Sequence, residues 1–127
     1  MRSKNRIRKI YKGYDKALKP FKTEMIKLMK DNKSLAVAIC ETYRAESYKR
    51  QYWETISYFG KNHQNAYNDF CKTGLSGNVL CGRDEFWLTL RFCGYESIYE
   101  KYRRKIPEKK AFGLIFKHAI NIINNKE

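Results

Sequence analysis

Residues 34–59 close the longest stretch of the chain without glycine or proline, and they read SLAVAICETYRAESYKRQYWETISYF. Leu35, Ala38, Thr42, Ala45, Tyr48, Tyr52, Ile56 and Phe59 recur in steps of three and four. That spacing puts one apolar stripe along a helix and turns it toward a core. Glu41, Arg44, Ser47, Arg50, Glu54 and Ser57 fall on the opposite side. Ser34 suits the N-cap, where its hydroxyl accepts from a first-turn amide, and Gly60 suits the C-terminal end. The expectation is a central helix of about seven turns.

The pieces around it also read as helices. Ile7, Ile10, Tyr14 and Leu18 continue at helical spacing. Pro20 fits the first turn of a new helix carrying Phe21, Met25, Leu28 and Met29, with Lys22, Lys27 and Lys30 among them. A polar turn at 31–33 ends it. A polar linker at 61–65 precedes a short helical turn at 66–71, with Tyr67 and Phe70 inward. Residues 73–78 carry two glycines and read as a loop. Ile98 and Tyr102 face inward on a helix over 95–105. Pro107 opens a last helix, with Glu108 in its first turn and a stripe of Phe112, Ile115, Phe116, Ala119, Ile120 and Ile123. That helix should pack on the central one, and residues 124–127 should fray.

Residues 79–93 allow two readings. Phe86, Leu88, Leu90 and Phe92 alternate with Trp87, Thr89, Arg91 and Cys93, which suits a strand paired with Val79, Leu80 and Cys81 as a hairpin. A helix capped by Asp84 and closed by Gly94, with Phe86, Leu90 and Cys93 inward, is preferred because both neighbours read helical. The expected fold is all-α, a mostly helical single domain of about five helices over 1–127. The alternative is α+β with a small hairpin near 79–92.

Charge restricts function more than motifs do. The chain of 127 residues carries a formal net charge of +14. Residues 1–33 hold twelve basic and three acidic side chains, residues 34–100 seven and eight, and residues 101–127 eight and two. Two basic ends flank a near-neutral middle. Solubility does not require such concentration. A concentrated field attracts an anionic partner and speeds encounter. Nucleic acid, DNA or RNA, is the leading partner. An acidic protein and an anionic membrane surface are the others. The contacts would come from Arg2, Lys4, Arg6, Arg8, Lys9 and Lys12 on a flexible basic arm at 1–12, and from Lys101, Arg103, Arg104, Lys105, Lys109 and Lys110.

Catalysis has little to build on. The two histidines, His63 and His118, have no Ser, Asp or second His at a suggestive spacing. No nucleophile elbow, phosphate-binding loop or zinc-protease motif is present. Asp69, Asp84 and Glu85 are the only carboxylates placed near apolar residues that could hold Mg²⁺. Cys71, Cys81 and Cys93 are spaced too widely for a zinc knuckle, though His63 could join them in a looser site. No enzyme activity, metal or cofactor is expected. The four cysteines should be free and mostly buried.

Two further patterns bear on binding. Residues 86–104 have the order helix, glycine turn, helix, which suggests a helix-turn-helix with 96–104 as the reading helix. Glu96 and Glu100 would oppose phosphate there. On the central helix, Tyr43, Tyr48, Tyr52, Trp53 and Tyr58 alternate with Arg44, Lys49 and Arg50, a pattern for stacking single-stranded bases or simply for burial.

No apolar run is long enough to span a membrane, and no apolar segment follows the basic N-terminus as a secretory signal requires. A cytoplasmic location is expected. Richness in Lys, Asn and Ile matches an AT-rich bacterial, phage or plasmid gene. The sequence reading is therefore a small regulatory factor that contacts nucleic-acid phosphates. The alternative is a small inhibitor or adaptor that docks on an acidic partner protein.

Overall fold

The elements follow one another as α1 (Tyr14–Asp31), α2 (Lys33–Ser47), α3 (His63–Lys72), a 3-10 turn (Leu75–Asn78), α4 (Glu85–Phe92), α5 (Glu96–Tyr102) and α6 (Glu108–Ile123). The structure is a computed structural model and describes residues 13–47, 63–79 and 85–127. The described residues are all-α, with no strand or sheet among them. The expected arm at 1–12, the second half of the central helix beyond Ser47, and the tyrosines there lie outside the described residues.

α2 is the centre of the fold. It packs against α1, α3, α4, α6 and the 3-10 turn. Every residue from Ser34 to Thr42 is buried. The one-sided stripe expected for this helix is therefore replaced by burial all round, and Glu41, expected on the polar side, is only 8% exposed. The reason is side-chain size. Ala36, Ala38 and Cys40 let neighbouring helices approach on sides where longer residues would hold them off. A helix that is apolar all round belongs inside.

α6 runs antiparallel to α2. Lys33 Nζ, at the start of α2, donates to Asn125 Oδ1 just beyond the end of α6. Near the other end of α2, Tyr43 stacks on Phe116, with centroids 3.8 Å apart and planes 9° apart, and meets Phe112 edge-on at 5.2 Å. Tyr43 is thus a packing residue. The expected α6 stripe faces inward, with Phe112, Ile115, Phe116, Ala119 and Ile123 buried.

The helix ends depart from expectation in three places. Pro20 lies inside α1 rather than opening a new helix. With no N–H it leaves the Lys16 carbonyl without its helical donor, a defect tolerable because Pro20 is exposed. Asn32, not Ser34, caps α2: its Oδ1 accepts from Ser34 N at 3.1 Å and its carbonyl from Leu35 N at 3.0 Å. Asn32 also closes α1 through its own N–H to Leu28 O and reaches Tyr95 Oη at 3.1 Å. One short polar residue thereby turns two helices and ties them to a third region. Residues 124–126, expected to fray, instead close α6. Asn125, at φ 58°, donates to Ile122 O, and Lys126 N donates to Asn121 O. This pair of bonds is a Schellman closure with asparagine in the left-handed position. Glu127 then pairs with His118.

α4 makes Glu85–Phe92 helical, while residues 80–84, with the expected cap Asp84, lie outside the described residues. Phe86, Trp87, Thr89 and Leu90 are buried, at helical and not alternating positions. Gly94, at φ 96°, ends it: Gly94 N donates to Arg91 O and Tyr95 N to Leu90 O, a second Schellman closure. Phe21 of α1 meets Trp87 at 5.5 Å and Tyr102 at 5.2 Å, which joins α1, α4 and α5 through rings.

Candidate functional site

The basic segment at 101–110 runs from the end of α5 through a short turn into the start of α6 and is anchored from below. Tyr102 and Ile106 are buried, whereas Lys101, Arg103, Arg104, Lys105, Lys109 and Lys110 are exposed. The Tyr102 carbonyl accepts from Lys105 N at 2.9 Å and Ile106 N at 3.1 Å. The Pro107 carbonyl accepts from Lys110 N at 3.0 Å and Ala111 N at 3.1 Å. These bonds hold the backbone, so the six cations project from a fixed base. Lys109 and Lys110 add charge at the start of α6, where the helix dipole is already positive.

The six are not equivalent. Lys101 Nζ lies 3.0 Å from Glu24 Oε1, and Tyr102 Oη donates to Glu24 Oε2. The Tyr102 hydrogen bond, followed by the Lys101 contacts, holds the Glu24 carboxyl below its usual range against the opposing effect of burial. Lys101 is thereby engaged in docking α5 on α1. Arg103 lies over the Tyr99 ring at 5.2 Å. No carboxylate stands within salt-bridge distance of Arg103, Arg104, Lys105, Lys109 or Lys110 among the described residues. Arg2, Lys4, Arg6, Arg8, Lys9 and Lys12 lie outside the described residues.

Arg91, which charge counting did not single out, joins this set in space. Its guanidinium also lies over the Tyr99 ring, at 5.4 Å, and its Nε is 3.4 Å from Glu96 Oε1. The ring thus gathers one cation from α4 and one from just beyond α5. Helical spacing on α4 contained the signal, because burying Phe86, Trp87 and Leu90 turns Arg91 outward. The order helix, glycine turn, helix is present at α4 and α5. However, α5 spans only seven residues, and its exposed positions include Glu96 and Glu100.

The cysteines divide by environment. Cys40 is buried, Cys93 half-buried and Cys71 exposed, against the expectation of burial for most; Cys81 lies outside the described residues. Burial, with the Glu41 carboxylate adding to it, pushes the Cys40 thiol well up, and burial pushes Cys93 up to about 11. Both are protonated thiols at neutral pH and poor nucleophiles. Among the described residues no three His, Cys, Asp or Glu side chains cluster as metal ligands would. No described helix is long and apolar enough to cross a membrane. No known protein family, curated protein or solved structure matches the chain.

Proposed function

We propose that the chain is a non-enzymatic nucleic-acid-binding protein, a small regulatory factor that grips phosphates through its basic segments. One observation carries this reading. The cations at 101–110 stand on a segment pinned by buried Tyr102 and Ile106, and five of the six lack an acidic partner among the described residues. Ordinary surface lysines pair with nearby carboxylates or diverge into solvent. Here the hydrogen-bonded backbone fixes where these side chains start, which suits contacts to phosphates. The basic arm at 1–12 would add further contacts.

A second reading, docking on an acidic partner protein as inhibitor or adaptor, draws on the same cations together with exposed Phe92. The polyanion reading is preferred because so much of the charge is concentrated at the two ends. Fluorescence polarisation with labelled duplex DNA, single-stranded DNA and RNA, at about 50 and 200 mM salt, separates the two. The expected result is affinity that falls by orders of magnitude over that range. Replacing Arg104, Lys105, Lys109 and Lys110 together by Ala should flatten the salt dependence by roughly 0.7–0.9 in log–log slope per lost phosphate contact. Absence of binding at the lower salt overturns the proposal.

A further inference from the structure

Phe92 stands out from the other large hydrophobic side chains of the described residues. It is 51% exposed on the last turn of α4, directly after Arg91. Leu88, one turn earlier on the same face, is only half-buried. A single surface hydrophobe needs no explanation. Two observations accompany this one. The backbone beneath the ring is held, because Asn78 Nδ2 donates to the Phe92 carbonyl at 2.9 Å and the Gly94 closure fixes the chain just beyond it. Arg91, its neighbour in sequence, and Arg103 both lie over the Tyr99 ring, at 5.4 and 5.2 Å from its centroid.

We infer that the α4–α5 corner binds a single nucleic-acid strand, with Phe92 as the platform for one unpaired base and Arg91 and Arg103 seating the phosphates beside it. The inference rests on the nucleic-acid reading above and names the form of nucleic acid. Three features favour a single strand over a duplex. An exposed phenyl ring can stack only on a base that is not already stacked in a helix. Tyr99 already carries two guanidiniums, so it braces the cations and leaves the stacking to Phe92. The short α5, with Glu96 and Glu100 exposed, is poorly suited to reading a major groove. Glu96 holds Arg91 by its salt bridge and also opposes an incoming phosphate, so it should tune the affinity downward.

The test uses the full chain and three labelled probes: a short single-stranded oligonucleotide, the same sequence as a blunt duplex, and polyglutamate. Phe92→Ala should weaken single-strand binding about five-fold or more, with the salt slope unchanged and duplex binding unaffected. Phe92→Trp should retain or raise single-strand affinity. Arg91→Ala with Arg103→Ala should lower the slope, and Glu96→Gln should strengthen binding. Unchanged thermal melting of the Phe92 variants, expected for an exposed position, removes misfolding as a cause. Equal affinity for both nucleic-acid forms with a silent Phe92→Ala overturns this inference and leaves the basic-segment reading standing. Loss of polyglutamate binding in Phe92→Ala, with nucleic acid unaffected, overturns it in favour of a protein partner. No binding of either nucleic acid by the parent chain overturns both.

Discussion

The first half of α2 and the segment at 101–110 solve opposite problems with similar numbers of residues. From Ser34 to Thr42 every side chain is buried. From 101 to 110 only Tyr102 and Ile106 are. In α2 the small residues allow neighbours on all sides, so stability depends on each position. In the basic segment two anchors carry the structure, and five of the six cations have no carboxylate partner among the described residues. The comparison teaches that this molecule separates the residues that hold the fold from those offered to solvent, with Tyr102 and Ile106 at the seam.

The largest effect should come from α2. Ile39→Ala removes a fully buried side chain at the centre of five packed elements, and a loss of about 2–5 kcal/mol is expected by chemical denaturation. Ile106→Ala should cost a comparable amount, in contrast to its charged neighbours. If Ile106→Ala proves silent, the turn is not anchored as described.

A middle-sized effect concerns a buried hydroxyl pair. Thr42 Oγ1 donates to Ala38 O at 2.9 Å and meets Thr89 Oγ1 at 3.2 Å, with both residues buried. Thr42→Val leaves the Thr89 hydroxyl without this partner and should cost about 1–3 kcal/mol. Adding Thr89→Val should recover much of that loss, because the orphaned group is gone. A double variant as unstable as the sum of the singles would show that the hydroxyls do not interact.

A smaller effect lies at the seam. The folded-state carboxyl of Glu24 is held low, chiefly by Tyr102 Oη. A carboxyl with a depressed folded value contributes stability above its unfolded value, near 4.5, and loses it as pH falls through the lower folded value. Tyr102→Phe should therefore flatten the acid limb of the stability–pH curve. The change should stay below about 1 kcal/mol, because Glu24 and Lys101 are both well exposed to screening solvent. An unaltered acid limb would remove Glu24 from the seam.

The smallest stability effect should be at the free cations. Arg104→Ala and Lys105→Ala should each move stability by less than about 0.5 kcal/mol, while both weaken polyanion binding. Lys101→Ala should weaken binding less than either, since Glu24 already occupies its charge. An equal loss at all three positions would mean that the Glu24 pair opens on binding.

Much of the fold was legible from spacing. The α6 stripe, the inward pair Ile98 and Tyr102, and Gly94 as a helix end follow from helical periodicity and glycine's freedom at positive φ. Pro20 and Ser34 depart from expectation for one reason: local preference ranks candidates, and packing then chooses among them. The strand reading of 86–92 gives way to α4 because period two and period 3.6 coincide over so few residues. At the candidate site, the cations of 101–110 were legible from charge, but Arg91, Phe92 and Tyr99 were not. The Arg91 and Arg103 contacts to Tyr99 exist only where α4 meets the end of α5.

By itself, the sequence determined that this chain would be helical, strongly basic at both ends and near neutral between, because composition and periodicity are local properties of the chain. Only the tertiary structure decided that α2 is buried on every side, that Lys101 is tied to Glu24 while its neighbours are not, and that Arg91 and Arg103 share one ring. Those are relations between residues far apart in sequence, and they exist only once the helices have packed.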